Sequence, residues 1–259
     1  MKIGMAIEAE YELDAIEKAV LNIAEELSNQ PQRIEYKTLY YKAKRVLNYP
    51  KIDISNAIHK LYLKKYIIVG CRLTKTEVLL NLARNRIYEY IASHIGAHVR
   101  ELREKLSITP HILDWHLGIL ESFDYIYRVN FLKYVNFFPV NFDRKHTFTF
   151  LVLKNENSLQ IFKKILATPG IDIETLVKDV KLQRNVILYH LENLLKFDLL
   201  FTYELEGNVV YGINYTNVRP IRTFYNLSEE EIQSSMITQQ NMNDKLKLKG
   251  FHSIRGIDE

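Results

Sequence analysis

Histidine and cysteine are the side chains from which a chain most readily builds a metal or acid–base centre. Of the eight histidines, His116 and His190 invite such a role, because both stand in one local pattern: aromatic, His, Leu, a further Leu, then Phe-Asp. Free imidazoles could ligate a metal or move a proton near neutral pH. Their place argues otherwise, since each directly precedes a leucine of an apolar helical stripe, which makes them structural groups or groups facing whatever that helix binds. His94 and His98 are four residues apart, but Gly96 between them breaks the helix that would align them. His111 and Cys71 complete no ligand set of recognisable spacing. Cys71 is the only cysteine, which excludes an intramolecular disulfide and fits a reducing compartment. No nucleophile motif, glycine-rich phosphate loop or paired-carboxylate constellation is present. The expectation is a protein without catalysis, cofactor or bound metal.

Binding chemistry must then come from the elements. The 259 residues are 47% hydrophobic and 25% charged, ordinary values for a soluble globular protein, and carry a net charge of +4. That charge is compatible with nucleic acid without requiring it. The N-terminal stretch reaches Glu8, Glu10 and Glu12 before any sustained apolar run, unlike a secretory signal. No stretch approaches the roughly 18 apolar residues of a membrane span. A cytoplasmic location is expected.

The pattern around the two histidines recurs without a gap 74 residues further on. Ile87 maps to Ile161, Ile91 to Ile165, Gly96 to Gly170, Leu102 to Leu176, Phe123 to Phe197 and Ile126 to Leu200. Helical periodicity predicts helices over residues 84–94, 99–106 and 110–122, with Pro110 at a first helical position. Alternation predicts two strands over 125–140 and a hairpin over 200–213 turning at 206–208. Upstream, helices are expected over 13–27, 36–47 and 53–67, followed by a short apolar strand at 67–69, with Thr74 or Thr76 as the next helix cap. Residues 148–153 read as a strand. Residues 227–232 read as one short helix capped by Ser228, and 236–259 as polar, aperiodic and disordered.

The expected fold is mainly α with small β-wings, an α+β class of three consecutive winged-helix units, two of them a clear internal repeat. The boundaries are 1–75 for a divergent first unit, 76–146 and 147–218 for the second and third, and 219–259 for a flexible tail.

Gly96 with Trp115, His116 and Leu117, and Pro169, Gly170 with Tyr189, His190 and Leu191, resemble the tandem winged helix-turn-helix transcriptional regulators common in archaea. The likeness covers about residues 80–215, and the first unit joins it only by element order. One departure is Asp124 and Asp198, where the family has Gly after Phe; Asp also tolerates the left-handed backbone the turn needs. The resemblance implies sequence-specific binding of double-stranded DNA and transcriptional control, as a dimer.

In a helix-turn-helix, side chains at the N-terminus of the recognition helix meet base edges and flanking cations meet phosphates. Gln183, Arg184 and Asn185 are base readers at that place, with Lys181 and His190 beside them. The first unit offers Lys51, Ser55, Asn56 and His59, with Lys60, Lys64 and Lys65 behind. Arg100 and Arg103 are phosphate candidates in the second unit, whose helix 109–122 has no Lys or Arg but carries Asp114 and Glu121. The wing aromatics Tyr125, Tyr127, Phe131, Tyr134, Phe137 and Phe138 exceed what a small sheet needs, so they pack inward or form a homodimer or protein-partner surface. A second reading follows from the same helix and wing: a winged-helix protein-assembly module, as in ESCRT-II-like subunits or polymerase-associated factors, with little DNA binding.

Overall fold

Asp14 begins the first helix of the computed structural model, which describes residues 12–30, 33–205 and 207–248. Its carboxylate accepts the Glu17 N–H, and the Glu17 carboxylate accepts the Asp14 N–H, both at 2.8 Å. This reciprocal box satisfies two of the N–H groups that a helix start leaves open. The chain divides into two compact units, Met1–Phe142 and Asp143–Glu259. The expected boundary after residue 75 falls inside the first unit and that after residue 218 inside the second.

In the first unit, α1 (Ala15–Ser28), α2 (Tyr36–Val46) and α3 (Lys51–Leu63) close around Val20, Ala24, Leu39, Ala43, Ile54, Ile58 and Leu61. The strand expected at 67–69 does not form. Ile67 makes only an isolated antiparallel bridge to Thr74, across a turn in which Gly70 takes φ +77°. Pairing across the turn stops at that single bridge. Thr74 then caps α4 (Lys75–Val78) through a box with Glu77.

The rest of this unit comprises α5 (Leu82–Ser93), β1 (Ala97–His98), α6 (Val99–Leu106), α7 (Pro110–Ser122), β2 (Ile126–Phe131) and β3 (Tyr134–Pro139). The strands form an antiparallel sheet in the order β1-β3-β2, with Ala97 opposite Phe137 and Ile126 opposite Pro139. Its core is Ile87, Ile91, Leu102, Leu113, Leu117, Leu120, Phe123 and Phe137.

The second unit opens with a 3-10 turn at Arg144–His146 and α8 (Thr147–Leu153). The strand expected at 148–153 is therefore a helix. A short, almost wholly apolar run has no periodicity to separate a buried strand from a buried helix, and Phe150, Leu151, Val152 and Leu153 are all buried. There follow α9 (Glu156–Ala167), β4 (Ile171–Asp172), α10 (Ile173–Val180), α11 (Arg184–Lys196), β5 (Leu200–Leu205) and β6 (Asn208–Ile213). The sheet order is β4-β6-β5, with Ile171 opposite Tyr211 and Leu200 opposite Ile213. Every element from α9 to β6 lies 74 residues beyond its counterpart from α5 to β3. The turns keep the same spacing: Ser107 and Lys181 are left-handed, as are Asp124 and Asp198, the two aspartates both at φ +54°. The fold is thus mainly helical with small antiparallel sheets, the α+β composition of a winged helix.

The chain continues through α12 (Tyr215–Val218), a 3-10 turn at Arg219–Tyr225 and α13 (Glu229–Leu248). The expected cap at Ser228 is present, its hydroxyl accepting the Glu231 N–H at 3.0 Å. The helix it starts is far longer than expected, and the disorder expected from residue 236 onward is overturned as far as Leu248; residues 249–259 lie outside the described residues. What holds α13 is largely polar and so invisible to hydrophobic periodicity. Ile232 is buried, but so are Ser235 and Gln239. Gln239 accepts the Ile213 N–H at 2.8 Å and donates to the Ile213 carbonyl at 3.3 Å, and Ser235 bonds the Tyr215 hydroxyl at 2.8 Å. Among the described residues, no helix is long and apolar enough to cross a membrane.

Candidate nucleic-acid interface

The α10–α11 corner gathers four of the expected site residues. Asp172 caps α10, its carboxylate accepting the Thr175 N–H at 2.7 Å; that bond holds its pKa below the usual carboxylate range. Lys181, at φ +56°, reverses the chain after Val180 and is exposed. Gln183 is the N-cap of α11, and Arg184 and Asn185 are its first two residues, all exposed. Ile187, Leu191 and Leu194 bury the opposite face. The corner therefore presents a cation, two amides and a guanidinium around the positive end of a helix.

Arg184 is already engaged. Its Nη1 lies 2.6 Å from Glu174 Oε1 on α10, with both side chains about half exposed or more. An exposed pair of this kind contributes about 0–1 kcal/mol and exchanges readily.

His190 does not belong to this surface. Only 6% of it is exposed, and its Nδ1 lies 2.9 Å from the Ser158 hydroxyl on α9. Burial pushes its pKa down. Residue 190 falls three after Ile187 and four before Leu194, on the inward stripe of α11. Hairpin residues 200–213 contain no Lys or Arg, so cations here come from the helices, with Lys178 and Lys181 exposed.

In the first unit Lys51 starts α3 and is exposed, as are Asn56 and His59. Ser55 is half-buried, with its hydroxyl 2.8 Å from that of Tyr36. Two of the lysines expected behind them are already engaged in ion pairs, Lys60 on the surface and Lys64 toward a buried carboxylate. Lys60 pairs with Asp14 at 3.1 Å, and Lys64 with the buried Glu17 at 2.8 Å. The Glu17 N–H and then Lys60 hold Asp14 below the usual carboxylate range, and Asp14 raises Lys60 in turn. Lys65 stays exposed.

On the α6–α7 corner Arg100 pairs with Glu104 at 2.8 Å, while Arg103 is exposed. The outer face of α7 shows His111, Ile112, Asp114 and Trp115 to solvent and no cation. Of the wing aromatics, Tyr125, Tyr127, Phe131, Phe137 and Phe138 are buried; Tyr134 is the exposed member and stacks on His98 at 4.9 Å. Of the alternatives, inward packing holds for five of the six rings, and the wing surface offered to a homodimer mate or partner reduces to Tyr134. His98 is committed to capping α6, its Nδ1 accepting the Glu101 N–H at 3.0 Å, and α5 ends at Ser93, so His94 and His98 share no helix. Among the described residues, no group of three or more His, Cys, Asp or Glu side chains is placed to hold a metal ion.

Three side chains escaped the sequence reading: Glu174, Ser158 and Arg84. The signal for the last two was available, because position 84 corresponds to 158 at the 74-residue offset, a cation against a hydroxyl amid matching apolar residues.

No family model matches the chain. Over 142 residues, 55% of its length, it is 33% identical to an uncharacterised HTH-type transcriptional regulator of Methanocaldococcus jannaschii, and the match spans 36% of that protein, about a third of its length. Among solved structures, an ArsR-like transcriptional regulator from Rhodococcus sp. RHA1 covers 40% of this chain and 92% of its own, at 12% identity and a TM-score of 0.28. In sequence, then, just over half of this chain is similar to part of a protein described as an HTH-type regulator.

Proposed function

We propose that the chain is a DNA-binding transcriptional regulator built of tandem winged helices, acting by binding rather than by catalysis. In this reading residues 76–146 and 147–218 are two winged helices, 1–75 is a third helical unit without a wing, and 219–259 follows as a C-terminal extension. The observation that carries it is the α10–α11 corner, where Lys181, Gln183, Arg184 and Asn185 stand exposed around one helix N-terminus. Arg is suited to guanine O6 and N7, Asn and Gln to adenine N6 and N7, and Lys to phosphate. The name of the M. jannaschii relative supports the same reading.

Laid in the major groove, α11 would read bases through its first turn while Lys178 and Lys181 neutralise phosphates. The exposed Lys51, Asn56 and His59 of α3 form a second contact. The α7 face, with Asp114 and no cation, stays away from the duplex. Selection from randomised duplexes tests this directly. A consensus should emerge, Arg184→Ala should weaken binding to it by about 1–3 kcal/mol, and affinity should fall steeply with salt. Absence of any enriched sequence, or binding indifferent to salt and to Arg184, would reject it.

A further inference from the structure

The buried histidine of α11 and its counterpart on α7 have different fates. His190 Nδ1 meets the Ser158 hydroxyl at 2.9 Å, so a buried polar group is satisfied within the protein. At the corresponding positions of the first unit stand His116 on α7 and Arg84 on α5, 4% and 5% exposed. Nε and Nη1 of Arg84 and Nδ1 of His116 are buried and have no hydrogen-bond partner among the described residues. Burial lowers the pKa of both groups, and the charge of Arg84 further lowers that of His116. Buried polar groups are as a rule paired, and a buried guanidinium without an acceptor is unfavourable. Here it persists where a serine would have bonded the histidine.

The surroundings define the missing acceptor. Trp115 lies over the guanidinium, its ring centre 5.7 Å from Cζ, and is itself 56% exposed, so the indole can swing aside into solvent. Ile112, three residues earlier and therefore on the same face of α7, is 48% exposed. Trp115 and Ile112 make this face of α7 aromatic and aliphatic. The helix carries no Lys or Arg to help hold a doubly charged phosphate, and Asp114 is exposed on it. The planar fork of the guanidinium matches the two oxygens of a carboxylate.

We propose that Arg84, with His116 beside it and Trp115 as a movable cover, binds the carboxylate of a small organic acid whose apolar body lies against Trp115 and Ile112. The site stands independently of the DNA-binding reading, and its test uses no DNA. Trp115 is the only tryptophan in the chain, so its fluorescence reports on this place alone. The full-length protein is titrated with benzoate, phenylacetate and octanoate, and separately with benzyl alcohol and inorganic phosphate. At least one of the three acids should give a saturable change, with the alcohol and phosphate weaker by about tenfold or more. Arg84→Ser, which installs the arrangement found at Ser158 and His190, should abolish the response while leaving the melting temperature equal or higher. Arg84→Lys, which keeps the charge without the fork, should weaken binding in calorimetry. No saturable response to any of the three acids overturns the proposal, as does equal binding by Arg84→Ser or by phosphate.

Discussion

The Glu174–Arg184 pair makes the α10–α11 corner testable in both directions. If Arg184 meets a base edge, it must first leave the carboxylate 2.6 Å away, and Glu174 itself would stand close to phosphates. An exposed pair is worth about 0–1 kcal/mol, whereas a bidentate arginine–guanine contact discriminates by about 1–3 kcal/mol, so the pair reduces affinity without preventing binding. Glu174→Gln should therefore tighten binding to the selected duplex by about 0.5–1 kcal/mol, roughly two- to fivefold. The same change should slightly lower stability, because Glu174 lies in the first turn of α10, where a negative charge favours the helix by about 0.3–1 kcal/mol. Tighter binding with a lower melting temperature separates this effect from general stabilisation. Arg184→Ala should weaken binding about five- to 150-fold, and in that background most of the Glu174→Gln gain should vanish. Fluorescence anisotropy on all four proteins at one salt concentration completes the cycle. An equal gain in both backgrounds would show that Glu174 acts only as a distant charge. Weaker binding by Glu174→Gln would mean that this corner does not face the duplex.

Three further outcomes follow from buried polar groups. Gln239→Ala strands the Ile213 N–H and carbonyl beneath α13 and should cost about 1–3 kcal/mol in urea unfolding; an unchanged midpoint would show that α13 is not anchored there. Lys64→Met leaves the 1% exposed Glu17 carboxylate with the Asp14 N–H at 2.8 Å and, as a cation, Lys60 at 4.0 Å, and should destabilise by about 3 kcal/mol; a loss below about 1 kcal/mol would mean that these two take over. Burial lowers the pKa of both His116 and His190 in the folded protein. The unfolded chain therefore takes up protons first as pH falls, so stability should be fully present above about pH 6.5 and decline below it until the depressed folded values are passed. Denaturation midpoints between pH 8 and 5 check the sign. A flat profile, or one unaltered by His190→Asn, would contradict it.

How legible all this was in the sequence depended on which physical signal each element carries. The 74-residue offset placed α5 to β3 and α9 to β6 because their core positions repeat with helical or alternating period, and two aspartates held the left-handed turns as expected. The run that became α8 carries no period, and α13 is held by Gln239 and Ser235, which a hydrophobic pattern treats as solvent-facing. At the α10–α11 corner, the exposure of Gln183, Arg184 and Asn185 was readable because their position just after a turn dictates it. His190 was readable too, but chemical type outweighed its place on the inward stripe. Arg84 was the least legible, since a charged residue in the first turn of a helix is ordinarily solvated, and nothing local marks one that is 5% exposed.

The equivalence of positions 84 and 158 turns the chain into its own control. Two corners share one backbone, with Ser107 and Lys181 left-handed alike and Pro110 and Arg184 opening their helices alike. What differs is the sign and burial of charge. On α11 the guanidinium is exposed in the first turn and the buried histidine is satisfied by a serine. On the α5–α7 pair the guanidinium is buried, the histidine is unsatisfied, and the outer face of α7 carries Trp115 and Ile112 with no cation. A helix that contributes no positive charge adds nothing to the counterion release that drives non-specific duplex affinity. A buried guanidinium under a mobile aromatic ring serves small-molecule recognition instead. If both assignments hold, exchanging the two residues as Arg84→Ser with Ser158→Arg should abolish the Trp115 response to organic acids without creating one elsewhere. The added guanidinium beside His190 has no tryptophan over it, and Tyr189 stands where Trp115 would be. Ser158→Arg alone should destabilise the second unit, since a second buried cation would displace the hydroxyl that satisfies His190, and it should weaken DNA binding only through that loss of fold.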